Sequence, residues 1–336
     1  MESYQPDAVD KQLVHALVTA PRASFKQLAD VLGVSDQTIS RRYRRLAATM
    51  GLRVSGVING GRLGWVDWYV RLQVTPGSAD ALADALARRP DTRWVNLASG
   101  GTEVSSILQA RTDEQRNDLF LRGLPGSRRV TQMTAQAVLR TFTRVEWHGL
   151  TRSTLTGEQV TALRAIASVS PGTGPQYPVS SDPVTLRPGD DVLLAELTGD
   201  GRAANAALAA TLHWHESTVR RRIEELQQQE VLYFDVDVNS ELFLGVGLVA
   251  MLWLAVEPAH LEHAGRALAG HPEIPFAAAT TGPTNLAASA VFRDTRHMYE
   301  YLTTSLGGLP GIRAVETAPI IGRVKQTAAG AFPGRL

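Results

Sequence analysis

The sequence contains no cysteine, which excludes disulfides and thiolate metal sites. It also lacks an apolar run long enough to cross a membrane. The longest uncharged apolar run, residues 242–256, is shorter than the roughly 18 residues that a spanning helix needs, and we interpret it as a long buried strand. The N-terminal residues show neither the basic nor the apolar region of an export signal, so we expect a cytoplasmic protein with no membrane partner.

Patterns that would indicate catalysis or metal binding are missing as well. We find no paired acid and base and no nucleotide-binding loop of recognisable spacing. Residues 213–216 include two histidines, and His260 and His263 would lie one helical turn apart, but no third ligand can be placed near either pair. We therefore expect a protein that is not an enzyme and that has no metal and no cofactor.

What the sequence does contain is a strongly basic segment in a nearly neutral chain. The 336 residues are 44% hydrophobic and carry a net charge of +1, which indicates two or three globular domains. Between residues 35 and 55, however, five arginines accompany a single acid, Asp36. This is the charge pattern expected of an element that reads DNA, and the alternative is a solvated arginine-rich helix, although such helices usually mix both signs.

The basic segment follows a helix-turn-helix pattern over residues 24–46. Ser24 can cap a first helix, with Gln27 reaching back to it, and Gly33 can end that helix in the left-handed conformation. Ser35 can then cap a second helix, in which the apolar positions recur at helical spacing on one side. These apolar positions are Ile39, Tyr43 and Leu46.

A helix in the DNA major groove needs short polar groups near its N-terminus for base edges and cations further along for phosphates. For base edges we predict Ser35, Gln37, Ser40 and Arg41. For phosphates we predict Arg42, Arg44, Arg45 and Arg53. Asp36 lies in the first turn of the same helix, and we include it in the predicted DNA-binding set.

From residue 65 onward, strands alternate with helices. We predict a strand at 66–74, a helix at 79–88, strands at 93–98 and 103–110, a helix at 113–122 and a strand near 129–139. This order, β-α-β-β-α-β, is the ferredoxin-like unit.

The whole pattern occurs twice. Arg22-Ala23 recurs as Arg202-Ala203, Arg41-Arg42 as Arg221-Arg222 and Leu46 as Leu226, each 180 positions later. The offset drifts to 185 between Leu124-Pro125-Gly126 and Leu309-Pro310-Gly311, as short loop insertions would produce. These matches indicate a tandem duplication.

Short motifs sit at matching places in the two halves. They are Asp10-Lys11-Gln12-Leu13 and Asp190-Asp191-Val192-Leu193, Asp200-Gly201-Arg202, the Leu-Gly-Val-Ser at 32–35 with the following arginines, and the Leu-Pro-Gly before each last strand. On these motifs each half resembles the Lrp/AsnC family of bacterial regulators. The resemblance implies a winged helix-turn-helix joined by a hinge strand to a ferredoxin-like domain that oligomerises and binds an amino acid or another small metabolite. Since members usually carry one unit per chain and dimerise, this chain resembles a fused dimer.

We therefore predict an α+β fold with two winged helix-turn-helix domains and two ferredoxin-like domains in tandem. The predicted boundaries are 1–58 for the first helix-turn-helix domain, 59–145 for the first ferredoxin-like domain, 146–186 for a linker with a short helix from Thr156 to Ala167, 187–239 for the second, divergent helix-turn-helix domain, 240–327 for the second ferredoxin-like domain and 328–336 for a tail.

The second copy departs from the family pattern in its reading head. His213 replaces the corner glycine, His215 replaces the serine cap, and residues 215–235 hold three arginines and five acids. The predicted DNA-binding residues here are Ser217, Arg220 and Arg221. Both outcomes, DNA binding by this head and its absence, stay open.

The family's effector loop, after the second strand of the ferredoxin-like domain, typically contains a Gly-Asp pair. By resemblance, the effector-binding residues here are Gly100, Gly101, Thr102 and Glu103 in the first copy and Gly282, Thr284 and Asn285 in the second. The glycines are kept and the aspartate is absent, so Glu103 is the one obvious partner for an ammonium group.

The second copy's first strand is apolar on both faces, because Val249, Met251 and Trp253 occupy the face that is more polar in the first copy. Tighter packing beneath a helix would explain this pattern. We prefer the hypothesis that the face meets another sheet, since a strand buried on both faces needs a second apolar layer.

These patterns together indicate a sequence-specific DNA-binding transcriptional regulator, modulated by a small metabolite such as an amino acid. Its expected partners are double-stranded DNA, the effector and further copies of the chain, bound through the ferredoxin-like domains. If heads from different copies pair, the operator should be asymmetric, and if like heads from two chains pair, it should be palindromic. The alternatives are a ligand-sensing or scaffolding protein with decayed reading heads and, less favoured, an enzyme on the ferredoxin-like scaffold.

Overall fold

The computed structural model describes residues 4–123, 128–142, 154–167, 182–239, 243 and 245–326. The first half contains α1 (Ala8–Thr19), α2 (Phe25–Leu32), α3 (Asp36–Met50), β1 (Arg53–Ile58), β2 (Val66–Val74), α4 (Ala79–Ala87), β3 (Thr92–Ala98), β4 (Glu103–Ala110), α5 (Asp113–Asn117) and β5 (Val130–Thr141). A connecting helix, α6 (Gly157–Ile166), follows. The second half contains α7 (Asp190–Gly199), α8 (Asn205–Leu212), α9 (Glu216–Gln228), β6 (Leu232–Asp237), β7 (Leu248–Val256), α10 (Leu261–Gly270), β8 (Phe276–Thr280), β9 (Leu286–Phe292), α11 (Thr295–Glu300) and β10 (Ile312–Lys325).

The two helix-turn-helix units share a single hydrophobic core. Buried side chains from both copies contribute to it, including Leu28 and Ile39 from the first and Leu208 and Val219 from the second. Beside this core β1 pairs antiparallel with β6, so the strand that follows each reading head pairs with its counterpart in the other copy. The two units therefore form one packed body.

The connecting helix α6 belongs to the same core. Its predicted cap is confirmed, since Thr156 accepts a hydrogen bond from the backbone of Gln159 and the Gln159 side chain accepts one from the backbone of Thr156. Leu163 is fully buried, and Gln159 also donates to the carbonyl of Val31 in α2. The predicted linker thus includes a structural element of the helical core, although residues 168–181 lie outside the described part of the chain.

The ferredoxin-like units form a closed barrel with the strand order β10-β3-β4-β2-β5-β8-β9-β7. Within the first copy, β2 pairs with both β4 and β5, and β3 pairs with β4. The last strand of each copy then crosses to the other copy, because β5 pairs with β8 and β10 pairs with β3. The two domains pair inside one chain in a reciprocal, approximately two-fold manner.

The second face of β7 lies inside the barrel, where the predicted second apolar layer comes from the first copy's strands of the same closed sheet and not from a separate sheet. Val249, Met251 and Trp253 are buried in one cluster with Tyr69 of β2. The rings of Tyr69 and Trp253 meet edge to face, with their centroids 4.6 Å apart. The outer faces of the sheet pack against the helices in separate clusters, one for each copy.

Among the described residues of the apolar run 242–256, only those from Leu248 onward form a strand, so the prediction of one long strand is wrong. The strand begins at Leu248. Gly245 adopts a φ of +65°, which breaks extended structure, and a Cβ at Gly247 would lie 2.2 Å from the carbonyl oxygen of Arg293. Similarly, the predicted helix 113–122 is α-helical only to Asn117 and continues as a π-helix over Asp118–Gly123.

Several predicted features lie outside the described residues. They are the tail at 328–336, the Leu-Pro-Gly at 124–126 and much of the linker. Among the helices that are described, none is both long and apolar enough to cross a membrane.

Candidate nucleic-acid interface

The first helix-turn-helix is held by the local interactions that its sequence predicts. Ser24 and Gln27 form a reciprocal capping box at the start of α2, and Gly33 ends that helix with a φ of +68°. Ser35 caps α3 by accepting a hydrogen bond from the backbone N–H of Thr38. Ile39 and Leu46 are fully buried, so the opposite side of α3 faces solvent.

That solvent face contains most of the predicted DNA-binding residues. Gln37, Arg41 and Arg44 are exposed, and Ser40 between them is half-buried. Together with Phe25 and Asp36 they line one open groove beside the N-terminal half of α3. Within the described part of the chain, Arg41 and Arg44 form no ion pair or hydrogen bond through their side chains, so both guanidinium groups are available to a partner.

Arg42 occupies a different position, and its predicted phosphate contact is corrected by the structure. Its Nη1 lies 2.7 Å from Oδ2 of Asp7 and 2.8 Å from Oδ1 of Asp10, and its side chain is only 16% exposed. The Asp10 side chain is fully buried, so Arg42 supplies the charge that makes this burial tolerable. At the helical position of Arg42, α3 faces α1 and not solvent.

Two further arginines from the predicted phosphate set also have protein partners. Arg45 lies 3.3 Å from Asp10, and its guanidinium stacks 4.1 Å from the ring centroid of Tyr4, although 40% of its side chain stays exposed. Arg53 pairs with Asp237 at 3.1 Å, across the β1–β6 ladder. Arg45 is thus only partly available to DNA, and Arg53 joins the two copies.

The second reading head has the same shape and a different charge pattern. His213 adopts the left-handed conformation of Gly33, with a φ of 54°, and His215 begins α9 without a side-chain cap. Ser217, Arg220 and Arg221 are exposed, but Arg221 lies 3.5 Å from Glu225 of its own helix. Arg222 repeats the role of Arg42, since it makes two hydrogen bonds to the buried Asp190.

The charge difference between the heads is concentrated at two positions. Glu224 and Glu225 stand where the first copy has Arg44 and Arg45. As a result α3 contains four arginines and one acid, whereas α9 contains three of each. The first head presents a basic face, and the second presents a nearly neutral one.

Two arginines that the sequence did not mark as functional fix the heads to each other. Arg22 of the first copy donates to the carbonyls of Gly201 and Ala203 and to the side chain of Asn205. Arg202 reciprocates by donating to the carbonyls of Pro21 and Ala23. The repeat shows that Arg22 and Arg202 occupy equivalent positions in the two copies. It does not show that each arginine contacts the opposite copy.

Glu103 is not free to meet an ammonium group, which corrects its predicted role. It is 1% exposed and pairs with Arg71 at 2.8 Å, while Gln73 donates a further hydrogen bond to it. Arg71 also pairs with Glu316 of β10, whose pKa its hydrogen bonds lower. Glu103 thus belongs to a charge cluster that joins the two ferredoxin-like domains.

The other predicted effector residues are also used internally. Asn285 accepts from the N–H and donates to the carbonyl of Val256, and the carbonyl of Thr284 accepts from Gln136. A Cβ at Gly282 would lie 2.5 Å from that same Gln136 side chain. In the first copy Gly100 and Gly101 have positive φ, and Thr102 donates to the carbonyl of Ser99, which closes a tight turn.

The histidine pairs gain no third ligand in the part of the chain that the structure describes. Across those residues, no three His, Asp or Glu side chains come together in a way that could hold a metal ion. His260 lies 3.9 Å from Glu257, and His215 stands at the exposed start of α9.

Comparison with known families identifies both kinds of domain. The AsnC-type helix-turn-helix domain matches residues 7–47 and again residues 190–227. The Lrp/AsnC ligand binding domain matches residues 249–329.

Two curated relatives each match a part of this chain comparable to one repeat. An uncharacterised HTH-type transcriptional regulator of Pyrococcus abyssi (strain GE5 / Orsay) is 27% identical over 137 residues, which cover 41% of this chain and 86% of that protein. The HTH-type transcriptional regulator FL11 of Pyrococcus horikoshii is 22% identical over 138 residues, 41% of this chain and 91% of that protein.

One solved structure matches the whole arrangement. The siroheme decarboxylase NirDL superposes with a TM-score of 0.63 over 98% of this chain and 95% of its own, at 12% sequence identity. At that identity the likeness concerns the fold alone. The likeness in fold spans nearly the whole length of both chains.

Proposed function

The chain belongs to the Lrp/AsnC family, and on this premise we propose that it is a sequence-specific DNA-binding transcriptional regulator whose two reading heads bind DNA unequally. The observation that carries the proposal is the solvent face of α3. Arg41 and Arg44 stand there without an ion pair or hydrogen bond to any residue that the structure describes, next to Gln37 and Ser40. Cations for phosphates beside short polar groups for base edges are what a major-groove helix needs.

The first head supplies most of the binding energy in this proposal. Phosphate contacts dominate the affinity of proteins for DNA, and each requires a cation that is not already neutralised. In α9 the position of Arg44 is taken by Glu224, Arg221 has Glu225 as a neighbour, and Arg222 is buried against Asp190. We propose that the second head adds a weaker contact through Ser217 and Arg220.

The pairing inside the chain favours an asymmetric operator. The heads from the two different copies are joined by the β1–β6 ladder and by the reciprocal hydrogen bonds of Arg22 and Arg202. Two unlike heads held in one body would contact two unlike half-sites, separated by about one helical turn, roughly 34 to 36 Å, or a multiple of it. Further oligomerisation is not needed to bring two heads together.

A small metabolite is proposed to modulate this binding in the cytoplasm. The family's ligand-binding domain supports such an effector. The effector would act by binding one arrangement of the heads more tightly than another, because only a difference in affinity shifts an equilibrium. We propose a binding protein and no catalytic activity, since the likeness to a decarboxylase extends only to the fold.

The test is a titration of DNA binding against salt with Arg41→Ala/Arg44→Ala. Removing two unpaired cations should weaken binding at every salt concentration and reduce the slope of log affinity against log salt by about 1 to 2, since each phosphate contact contributes about 0.9. Circular dichroism should show an unchanged fold, because neither side chain forms an ion pair or hydrogen bond with the described residues that the variant would lose.

Arg266→Ala is the matched control. Arg266 is an exposed arginine in α10, one turn from Glu262, far from α3 in sequence. This variant should leave affinity and salt slope unchanged. The proposal is contradicted if the double variant binds DNA like the parent protein, or if the parent shows no binding to randomised DNA at any salt concentration. Either result would favour a sensing or scaffolding protein.

A further inference from the structure

We propose that a cavity between the two reading heads is a binding site for a small zwitterion with an apolar group, such as an aliphatic amino acid, and that this site couples the ligand to the arrangement of the heads. The inference rests on the proposed function in one respect, namely that the heads bind DNA. The cavity lies where α9 of the second head, Arg22 of the first head and the end of α6 meet.

The cavity has the size and lining for a small metabolite. Its volume is about 220 Å³, below the roughly 300 to 1,000 Å³ of pockets for drug-sized ligands. Ile166, Ile223 and Phe234 supply an apolar wall, and Ile223 and Phe234 are themselves buried. Arg220 and Glu224 supply one charge of each sign.

Neither of these two charges is paired within the described part of the chain. Arg220 and Glu224 are one helical turn apart on α9, yet neither forms an ion pair or hydrogen bond through its side chain with any described residue. The next pair on the same helix, Arg221 and Glu225, does make contact, with 3.5 Å between nitrogen and oxygen. A cation and an anion that border the same cavity without pairing can receive a carboxylate and an ammonium group, respectively.

Two positions that line the cavity carry smaller side chains than their counterparts in the first copy. In the first copy Phe25 and Tyr43 pack with ring centroids 5.3 Å apart, and Arg202 stacks over both rings. The second copy has Asn205 and Ile223 at the corresponding positions. Asn205 and Ile223 are smaller than Phe25 and Tyr43, so they leave open the space that the two rings fill in the first copy.

Arg22 connects the cavity to the arrangement of the heads. It lines the cavity, and the same guanidinium donates to Gly201, Ala203 and Asn205 of the other copy. A ligand carboxylate that accepts hydrogen bonds from Arg22 as well as Arg220 would compete with these bonds. It would thereby change the stability of the contact between the heads. This is a differential contact of the kind that an effector requires.

The test measures binding of a panel of aliphatic L-amino acids by calorimetry and by the shift in melting temperature of the full chain. L-leucine is compared with 4-methylpentanoate, which lacks the ammonium group, and with 3-methylbutylamine, which lacks the carboxylate. We expect at least one amino acid of the panel to bind and to raise the melting temperature. Its two truncated analogues should bind at least tenfold more weakly.

Two variants locate the site. Asn205→Phe/Ile223→Tyr copies the first head's own residues into the cavity and should abolish binding, and Glu224→Gln should weaken it at least tenfold. Glu196→Gln, at an exposed acid in α7, is the control and should bind like the parent protein. Because the filled variant uses residues that already pack in this fold, its own melting curve shows whether it is folded.

The inference is overturned if no amino acid of the panel binds, or if the filled, folded variant binds as the parent does. It can fail separately from the proposed function. Salt-dependent DNA binding without any amino-acid binding would contradict the effector site and leave the proposed regulator intact. Amino-acid binding that the filled variant loses, in a protein that does not bind DNA, would support the site and contradict the proposed regulator.

Discussion

At the scale of single residues, Lys325 is a charged group held inside the molecule. It is 2% exposed, and its ammonium group donates to the carbonyl of Arg89 and to the hydroxyl of Thr92. Burial lowers its pKa to about 8, and the nearby charge of Arg93 acts in the same direction. In the unfolded chain the pKa returns to that of an ordinary lysine, about 10.4.

This difference in pKa predicts that Lys325 makes stability depend on pH. Between pH 8 and about 10.4 the unfolded chain binds more protons than the folded one, so stability rises with pH in that window and is lost as pH falls toward 8. Replacing the lysine by Lys325→Met should remove this slope, so that the stability of the variant relative to the parent is most favourable near pH 7 and falls as pH rises to about 10.4.

Denaturant midpoints of parent and variant at several pH values from 7 to 10.5 measure the effect. Lys26→Met, at an exposed lysine in α2, is the control and should keep the parent's pH dependence. Parallel curves for the parent and Lys325→Met would contradict the assignment.

The paired buried charges show what the sequence does and does not reveal about residues. Asp10 and Asp190, like Arg42 and Arg222, match at the repeat offset of 180, so all four could be marked as equivalent pairs. That Arg42 meets Asp10, 32 positions away, depends on how α3 packs on α1. An arginine count along a helix identified the basic segment but could not separate Arg42 from its exposed neighbours Arg41 and Arg44.

At the scale of elements, the close approach of the two copies depends on a glycine. The backbone N–H of Gly201, just after α7, donates to the carbonyl of Val54 in β1. A Cβ at this position would lie 2.9 Å from that carbonyl oxygen and 3.0 Å from the backbone N of Ser55. Backbone atoms in a strand that pairs with β6 cannot shift without disturbing the ladder.

We therefore predict that Gly201→Ala destabilises the protein by about 1 to 3 kcal/mol, as overpacking against fixed atoms does. The matched control is Gly199→Ala, two residues earlier in α7, where an added Cβ would meet nothing within 4 Å. Because alanine favours a helix, the control should be neutral or slightly stabilising. Thermal melting of both variants decides, and equal midpoints would show that the approach of the copies is not tight.

Elements with strong local signals could be predicted from the sequence, and pairings between copies could not. Caps at Ser24, Ser35 and Thr156 and the order of strands and helices follow from local chemistry. The start of β7 was missed because the apolar composition of 242–256 does not indicate the positive φ of Gly245 or the close backbone contact at Gly247. The crossing of β5 and β10 into the opposite copy requires the register of strands far apart in the chain.

At the scale of the whole molecule, duplication has placed both partners of a dimer-like arrangement in one chain. The eight-stranded barrel leaves none of its strands as an unpaired edge, which removes a common route to unwanted association. Fusion also allows the two copies to diverge, because each now occupies a fixed place. The two heads now differ in charge, since the second has acids at the two positions where the first has Arg44 and Arg45.

The roles of the predicted effector residues could not be assigned from the family resemblance. The glycines and Glu103 sit where the resemblance placed them, but the structure uses Glu103 and Asn285 to hold the two ferredoxin-like domains and their strands together. Internal pairing thus explains why their roles could not be carried over from the family pattern.

Unlike heads pair within one chain, and we propose that they bind DNA unequally. The most direct measurement is a hydroxyl-radical footprint on a site selected from randomised DNA, combined with the number of chains bound per site. We expect one chain per site, a strongly protected half-site for the first head and a weakly protected, different half-site about one helical turn away. A palindromic site with equal protection of both halves and two chains bound would contradict it.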